Sequence, residues 1–221
     1  MTLHIETPLI KSRALSLKTG RTVLLKLEGL QPSGSFKLRG VGFACEEHQR
    51  RGARRFVTAS GGNAGYAVAY AGRELGIPVT VVVPQTTSER ARALIRGEEA
   101  EAQSVATSLG ANKVSARIVA LAREHQIRNC LVTDAEAIQG SVTLLEEHRL
   151  LTEPACGASV AALARVPEYF PDARRIVVIA CGGVGTTSQQ LLEWSDFYRL
   201  EGNQIATSHS DEVNSPEAQQ P

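Results

Sequence analysis

The sequence predicts an α/β fold with a mostly parallel sheet, and three observations carry that reading. Apolar, β-branched runs at residues 23–28, 55–59 and 79–84 alternate with stretches of helical period, the pattern of strands joined by helices. The run at 79–84 is apolar on both faces, as a strand at the centre of a parallel sheet has to be. Strand, helix and strand also follow one another within residues 55–84, close enough for a single right-handed crossover. The 221 residues suffice to bury a core, as one domain or two small ones.

Residues 3–10 end in Thr7-Pro8-Leu9-Ile10, an extended lead-in, because the residue before a proline is pushed away from helix. Strand 23–28 then delivers the chain to Gln31-Pro32-Ser33-Gly34-Ser35-Phe36-Lys37-Leu38-Arg39-Gly40. Pro32 and Gly34 punctuate this turn, Ser35 is the expected N-cap, and Phe36 and Lys37 fall in the first turn of the next helix. Backbone N–H groups point outward there, so the turn can receive an anion or a phosphorylated cofactor. Lys37 has two readings. One is a solvated lysine, which the positive end of the helix dipole disfavours. The other is a Schiff-base lysine, whose amine is deprotonated by desolvation or a neighbouring charge before it attacks a carbonyl.

Strand 55–59 breaks at Ser60-Gly61-Gly62-Asn63-Ala64-Gly65. Glycines here let backbone amides approach a bound group, and Asn63 offers both a donor and an acceptor. The spacing is not the G-x-G-x-x-G nucleotide fingerprint; an ordinary βα turn and an anion site both remain, and the preceding Lys37 turn favours the anion site. Helix 66–75 closes at Gly76 before Pro78. Beyond strand 79–84 and a helix over 88–97, the pattern gives a helix at 114–123 and a short strand at 128–134, with Asp134 capping the next helix. A helix follows Gly157 through 161–165, and after a strand at 175–180 the turn at 181–187 opens a helix. Residues 202–221 lack apolar periodicity and are expected to be a disordered tail.

Composition narrows the function. With 24 basic and 23 acidic residues and a net charge of +1, nucleic acid is not an expected partner, and Arg50, Arg51, Arg54 and Arg55 read as a solvated helix end. Cys45, Cys130, Cys156 and Cys181 are far apart and form no C-x-x-C pair, so neither a metal site nor a disulfide framework is indicated. His4, His125 and His148 show no paired spacing and read as surface residues. No basic flank with an apolar run opens the chain, and no uninterrupted apolar run reaches membrane-spanning length. A cytoplasmic, reduced protein without a membrane partner is the expectation.

The segments 26–40, with Ser-Phe-Lys at its centre, and 59–65 resemble the serine/threonine dehydratase family of fold-type-II pyridoxal-phosphate enzymes. Glu153-Pro154-Ala155-Cys156-Gly157-Ala158 and Val177-Val178-Ile179-Ala180-Cys181-Gly182-Gly183 point to its animal-type L-serine dehydratase branch. The resemblance runs from about residue 5 to about residue 195. It implies a three-layer α/β/α fold of the tryptophan synthase β-like kind, with pyridoxal 5'-phosphate as cofactor and an amino acid as substrate. By the same resemblance, Lys37 would hold the cofactor as a Schiff base and later remove the substrate Cα proton, and Phe36 would lie against the pyridine ring. Ser60, Gly61, Gly62, Asn63 and Ala64 would bind the substrate carboxylate, with Asn63 also meeting the cofactor 3-hydroxyl. Cys181 would face the pyridine nitrogen, a neutral partner that suits β-elimination. Cys156 reads as packing at a small-residue helix start.

The chain departs from the family between Glu98 and Gln103, where roughly a hundred residues, the size of a small domain, are missing. The glycine run that cradles the cofactor phosphate goes with that block, as does an acidic residue that helps hold the family's monovalent cation. The turn 181–187 could cradle a phosphate by pattern, but with Cys181 at the ring nitrogen the phosphate lies on another side of the ring. The expectation is therefore a single truncated domain over 1–201, with 40–100 a remnant of the small domain, that descends from an L-serine/L-threonine dehydratase. Two alternatives stand beside it. One is an inactive isoform that pairs with full-length protomers, since a homodimer or heterodimer suits the exposed sheet edges left by the lost block. The weaker one is a Rossmann nucleotide-binding domain, which leaves Lys37 unexplained.

Overall fold

The computed structural model describes residues 2–84, 87–105, 120–121, 123–125 and 130–199. The chain runs β1 (Leu9–Ser12), α1 (Arg13–Thr19), β2 (Thr22–Lys26), a 3-10 turn (Glu28–Leu30), α2 (Lys37–Arg50), β3 (Phe56–Ala59), α3 (Asn63–Leu75), β4 (Val79–Pro84), α4 (Glu89–Gly97) and β5 (Glu101–Val105). It continues through α5 (Asp134–His148), α6 (Pro154–Ala161), a 3-10 turn (Ala162–Arg165), α7 (Val166–Tyr169) and β6 (Arg175–Ile179) to a last helix, α8, over 188–199.

The strands fall into two three-stranded sheets, ordered β1-β2-β6 and β3-β4-β5. Only β1 and β2 pair antiparallel; β2–β6, β3–β4 and β4–β5 are parallel. Parallel pairing is thus as predicted, and β4 is central as its two apolar faces require, but the strands divide between two sheets rather than one. Each sheet has its own core. Phe56, Val79, Val81 and Val83 pack with Cys45, Val68 and Ile95 from α2, α3 and α4. Val23, Leu25 and Val178 pack with Leu15, Leu144, Cys156 and Val160 from α1, α5 and α6. On β6, Val178 is buried while Val177 and Ile179 are 50% and 46% exposed, so one face of that strand lacks its layer.

Three expectations change. The strand over 128–134 does not form in its described part: residues 130–133 are irregular and Leu131 is 90% exposed. Thr133, not Asp134, caps α5, in a capping box with Glu136 that turns the chain into helix. His148 is half-buried and hydrogen-bonded to Ser12 at 3.0 Å, because the end of α5 packs on the start of α1. β5 was not legible, since E-A-Q-S-V carries no strand signature; the open edge of β4 recruits it in parallel register. The helix expected at 114–123 lies mostly, and the tail at 202–221 wholly, outside the described residues. Among the described residues no helix is long and apolar enough to cross a membrane.

Candidate active site

The turn before Lys37 is held from beneath by one carboxylate. Glu28, buried at the start of the 3-10 turn after β2, accepts from Arg39 Nε at 2.7 Å and Nη2 at 2.8 Å, from Thr7 Oγ1 at 2.7 Å and from Gln31 Nε2 at 3.1 Å. Burial alone raises its pKa, but the Arg39, Thr7 and Gln31 hydrogen bonds outweigh that and lower it to about 2. Gln31 adds two bonds to the Ile5 backbone, tying the lead-in segment to the turn.

Ser35 does not cap α2. It forms an antiparallel bridge with Gly182, which fixes it against the 181–183 segment, and Phe36 takes the cap position with helical φ of −55° and no side-chain cap. Phe36 N donates to the Cys181 carbonyl at 3.1 Å and Gly183 N to the Gly34 carbonyl at 3.0 Å. The approach is so close that a Cβ on Gly182, whose φ is +82°, would overlap the Gly34 carbonyl oxygen. The hydroxyls of Ser33 and Ser35 are buried under this contact without a hydrogen-bond partner among the described residues. Lys37 is exposed, with Nζ 4.5 Å from the centroid of the Phe36 ring, and among the described residues no carboxylate pairs with it.

Asn63 opens α3, three residues earlier than the helical period indicates, and Gly62 is an N-cap without side-chain capping. Its side chain reaches the same place from another direction: Oδ1 accepts from Val184 N at 3.1 Å and Nδ2 donates to Glu153 Oε2 at 2.9 Å. Glu153 Oε1 accepts in turn from Gly185 N at 2.9 Å. The N–H groups of Gly183, Val184 and Gly185 are therefore all engaged by protein acceptors, and a carboxylate already fills the turn.

Behind this turn Cys181 packs against the core cluster that includes Cys156, near enough for each thiol to shift the other's ionisation. Cys156 is fully buried in the first turn of α6. The neighbouring Cys181 thiol, with donors at Gly182 and Thr152, pulls its pKa down against burial. The neighbouring Cys156, with burial, pushes Cys181 up and keeps it a neutral thiol.

The structure thus joins Phe36 and Lys37 to Cys181 through backbone and Asn63 to the same turn through its side chain, while Ser60, Gly61, Gly62 and Ala64 connect to the cluster through Asn63. Two contributors escaped the sequence reading of the site, Glu28 and Glu153. Their signal was a charged residue inside a segment of otherwise small or apolar residues. A cavity of about 890 Å³ includes Lys11, Arg21 and Arg174 but none of these site residues; it is an open surface depression whose Arg21 is spent on backbone carbonyls.

The sequence pattern of pyridoxal-phosphate dependent enzymes matches residues 1–102 and again residues 95–182. The chain belongs to that family. Pyridoxal phosphate is the family's cofactor, and fold-type-II enzymes are its structural neighbours. A serine dehydratase-like protein of Rattus norvegicus is 30% identical over 307 residues, covering 86% of this chain and 93% of the relative. The L-serine dehydratase/L-threonine deaminase of Homo sapiens is 53% identical over 85 residues, 38% of this chain and 26% of the relative. In structure, the L-serine ammonia-lyase of Rhizomucor miehei superposes with a TM-score of 0.77 over 90% of this chain and 99% of that one, at 21% identity, a likeness of fold.

The two stretches of family pattern overlap at residues 95–102, a span that shares residues 98–102 with the junction inferred from sequence. An alignment of 307 residues is longer than the 221-residue chain, so part of the relative has no counterpart here. The residues present fit the lysine and ring ends of pyridoxal phosphate: an exposed amine beside an aromatic face, a neutral thiol and an amide side chain. They do not fit its phosphate end, because the sequence holds no run of three glycines and the amides of the 183–185 turn are taken.

Proposed function

We propose that the Lys37 site is that of a pyridoxal-phosphate-dependent dehydratase. It takes L-serine to pyruvate and ammonia and L-threonine to 2-oxobutyrate and ammonia, in cytoplasmic amino-acid catabolism. The observation that carries the reading is the exposed Lys37 amine against Phe36, on a turn whose backbone is bonded to that of Cys181. Bound at Lys37, pyridoxal phosphate supplies an electron sink that makes the Cα–H of the amino acid acidic. Lys37 would hold the cofactor and take the Cα proton of the substrate, and Phe36 would lie against the ring. Asn63 would bond the cofactor hydroxyl, and the amides at Ser60, Gly61, Gly62, Asn63 and Ala64 would hold the substrate carboxylate. Cys181, a neutral thiol, would stand at the ring nitrogen without protonating it, which suits elimination at Cβ.

Pyruvate release from L-serine at saturating pyridoxal phosphate tests this. Turnover that Lys37→Ala abolishes supports it, and no turnover at any cofactor concentration removes it.

A second reading rests on a separate observation. Val57 on β3 is 68% exposed, and Val177 and Ile179 stand open on β6, apolar positions of the kind a partner covers. On this reading the chain is an inactive isoform that associates with a full-length dehydratase. Co-purification of the two chains, with the shortened one silent alone, distinguishes it from the first.

A further inference from the structure

Away from the Lys37 turn, α1, α5 and the end of α6 enclose a pocket of about 450 Å³ that shares no residue with that site. Its floor is apolar and buried, made by Leu15 of α1 together with Val160 and Leu163. Space remains above that floor because Gly140, Ala161 and Ala164 bring little side chain to the walls. The gap is built into the backbone. Gly140 is fixed as glycine, since a Cβ there would overlap the Gly157 carbonyl oxygen, and α6 gives way at Ala162–Arg165 to a 3-10 turn, with Pro167 in the first turn of α7 at the rim. The mouth carries the charge. Lys18, in the last turn of α1, and Gln139 of α5 are exposed there, and neither side chain has a hydrogen-bond or ion-pair partner among the described residues. The other charged groups at the pocket are occupied: Arg21 donates to the Phe170 and Pro171 carbonyls, and Glu136 accepts from Arg165 Nη2 at 3.1 Å and from Thr133 N at 2.8 Å.

We propose that this pocket binds a small apolar monocarboxylate, its hydrocarbon body on Leu15, Val160 and Leu163 and its carboxylate at Lys18 and Gln139. The volume is that of a small-molecule pocket, and an apolar lining with a few polar groups at one end is how such pockets fix a ligand's orientation. Charge selects the class. An apolar cation meets Lys18 and Arg21 at the mouth, and a dicarboxylate has to leave its second charge unpaired against the apolar floor. The bound acid joins α1 to α5 and α6, the helices packed over β2 and β6, so it stabilises that half of the fold by mass action. Nothing in the site depends on Lys37 or on pyridoxal phosphate.

The test titrates the full chain with octanoate, octanol and octylammonium, reading heat of binding and, on isotope-labelled protein, backbone amide shifts. Octanoate is expected to saturate as a single site, to raise the thermal midpoint, and to shift amides of α1 and of residues 139–143 and 160–167. Octanol is expected to bind about threefold more weakly and octylammonium more weakly still. Lys18→Glu exchanges an exposed ion pair for a repulsion and is expected to lower octanoate affinity about tenfold while leaving octanol unchanged. Ala161→Phe, which fills the space, is expected to abolish binding of all three; should that variant not fold, the wild-type shift map decides alone. Shifts centred elsewhere, such as on the open face of β6, overturn the proposal. So do octanol binding as tightly as octanoate, Lys18→Glu without effect on octanoate, or no saturation by any of the three at millimolar concentration.

Discussion

Bonded to Arg39, Thr7 and Gln31, the Glu28 carboxylate joins the N-terminal lead-in, the end of β2 and the first turn of α2, and so sets where Lys37 begins its helix. Its pKa is lowered in the fold from 4.5 to about 2. The stabilisation is therefore complete above pH 4.5 and is lost as pH falls from there toward 2. Urea unfolding across that window should show the loss in the wild type and a shallower one in Glu28→Gln, which should also cost about 3 kcal/mol at neutral pH by leaving Arg39 without its partner. Glu153→Ala leaves Asn63 Nδ2 and Gly185 N without their acceptor, an expected cost of about 1–3 kcal/mol. Hydrogen exchange should rise first at Val184 and Gly185. Which residues were legible from sequence follows from distance along the chain. The Lys37 turn shows because Pro32, Gly34 and Ser35 act within a few positions. The Asn63–Glu153 bond spans 90 residues, and no local pattern announces it. Ser35 reads as a cap for the same reason in reverse: its sequence neighbours favour one, but its partner is Gly182.

At the scale of elements, helix periods and strand runs gave α2, α3, β2, β3, β4 and β6 nearly in place, because each buries its own apolar face. Where an element owes its existence to a neighbour the sequence was silent, as with β5, which forms on the open edge of β4. The contact between α5 and α6 is of the first kind at its glycines. Gly140 and Gly157 bring the two backbones together, and a Cβ on Gly157 would overlap Ala137 O and crowd Ser141. Gly157→Ala should destabilise the fold by about 1–3 kcal/mol, read as a lower thermal midpoint. It should also move Cys156, which sits in the first turn of α6.

Over the whole molecule, two three-stranded sheets replace the single sheet the sequence suggests, with α4 and β5 set where the family pattern is interrupted. Glu98, beside that interruption, is buried and takes the Tyr66 hydroxyl at 2.8 Å and Arg73 Nε at 3.2 Å, so the shortened connection is built into the α3 packing. The open apolar positions on β3 and β6 are the cost of the missing layer. Val177→Thr combined with Ile179→Thr should weaken the proposed association with a full-length dehydratase in co-purification without a large change in thermal midpoint, since both side chains already face solvent. Whether the remaining site still holds its cofactor depends on Lys37 without a phosphate cradle. The most direct measurement is borohydride reduction of the full chain with pyridoxal phosphate, followed by peptide mapping. A cofactor adduct on the Lys37 peptide, saturating with concentration and absent in Lys37→Ala, is the expected result. Adducts spread over exposed lysines such as Lys11 and Lys18, with Lys37 no more labelled than they are, would contradict it.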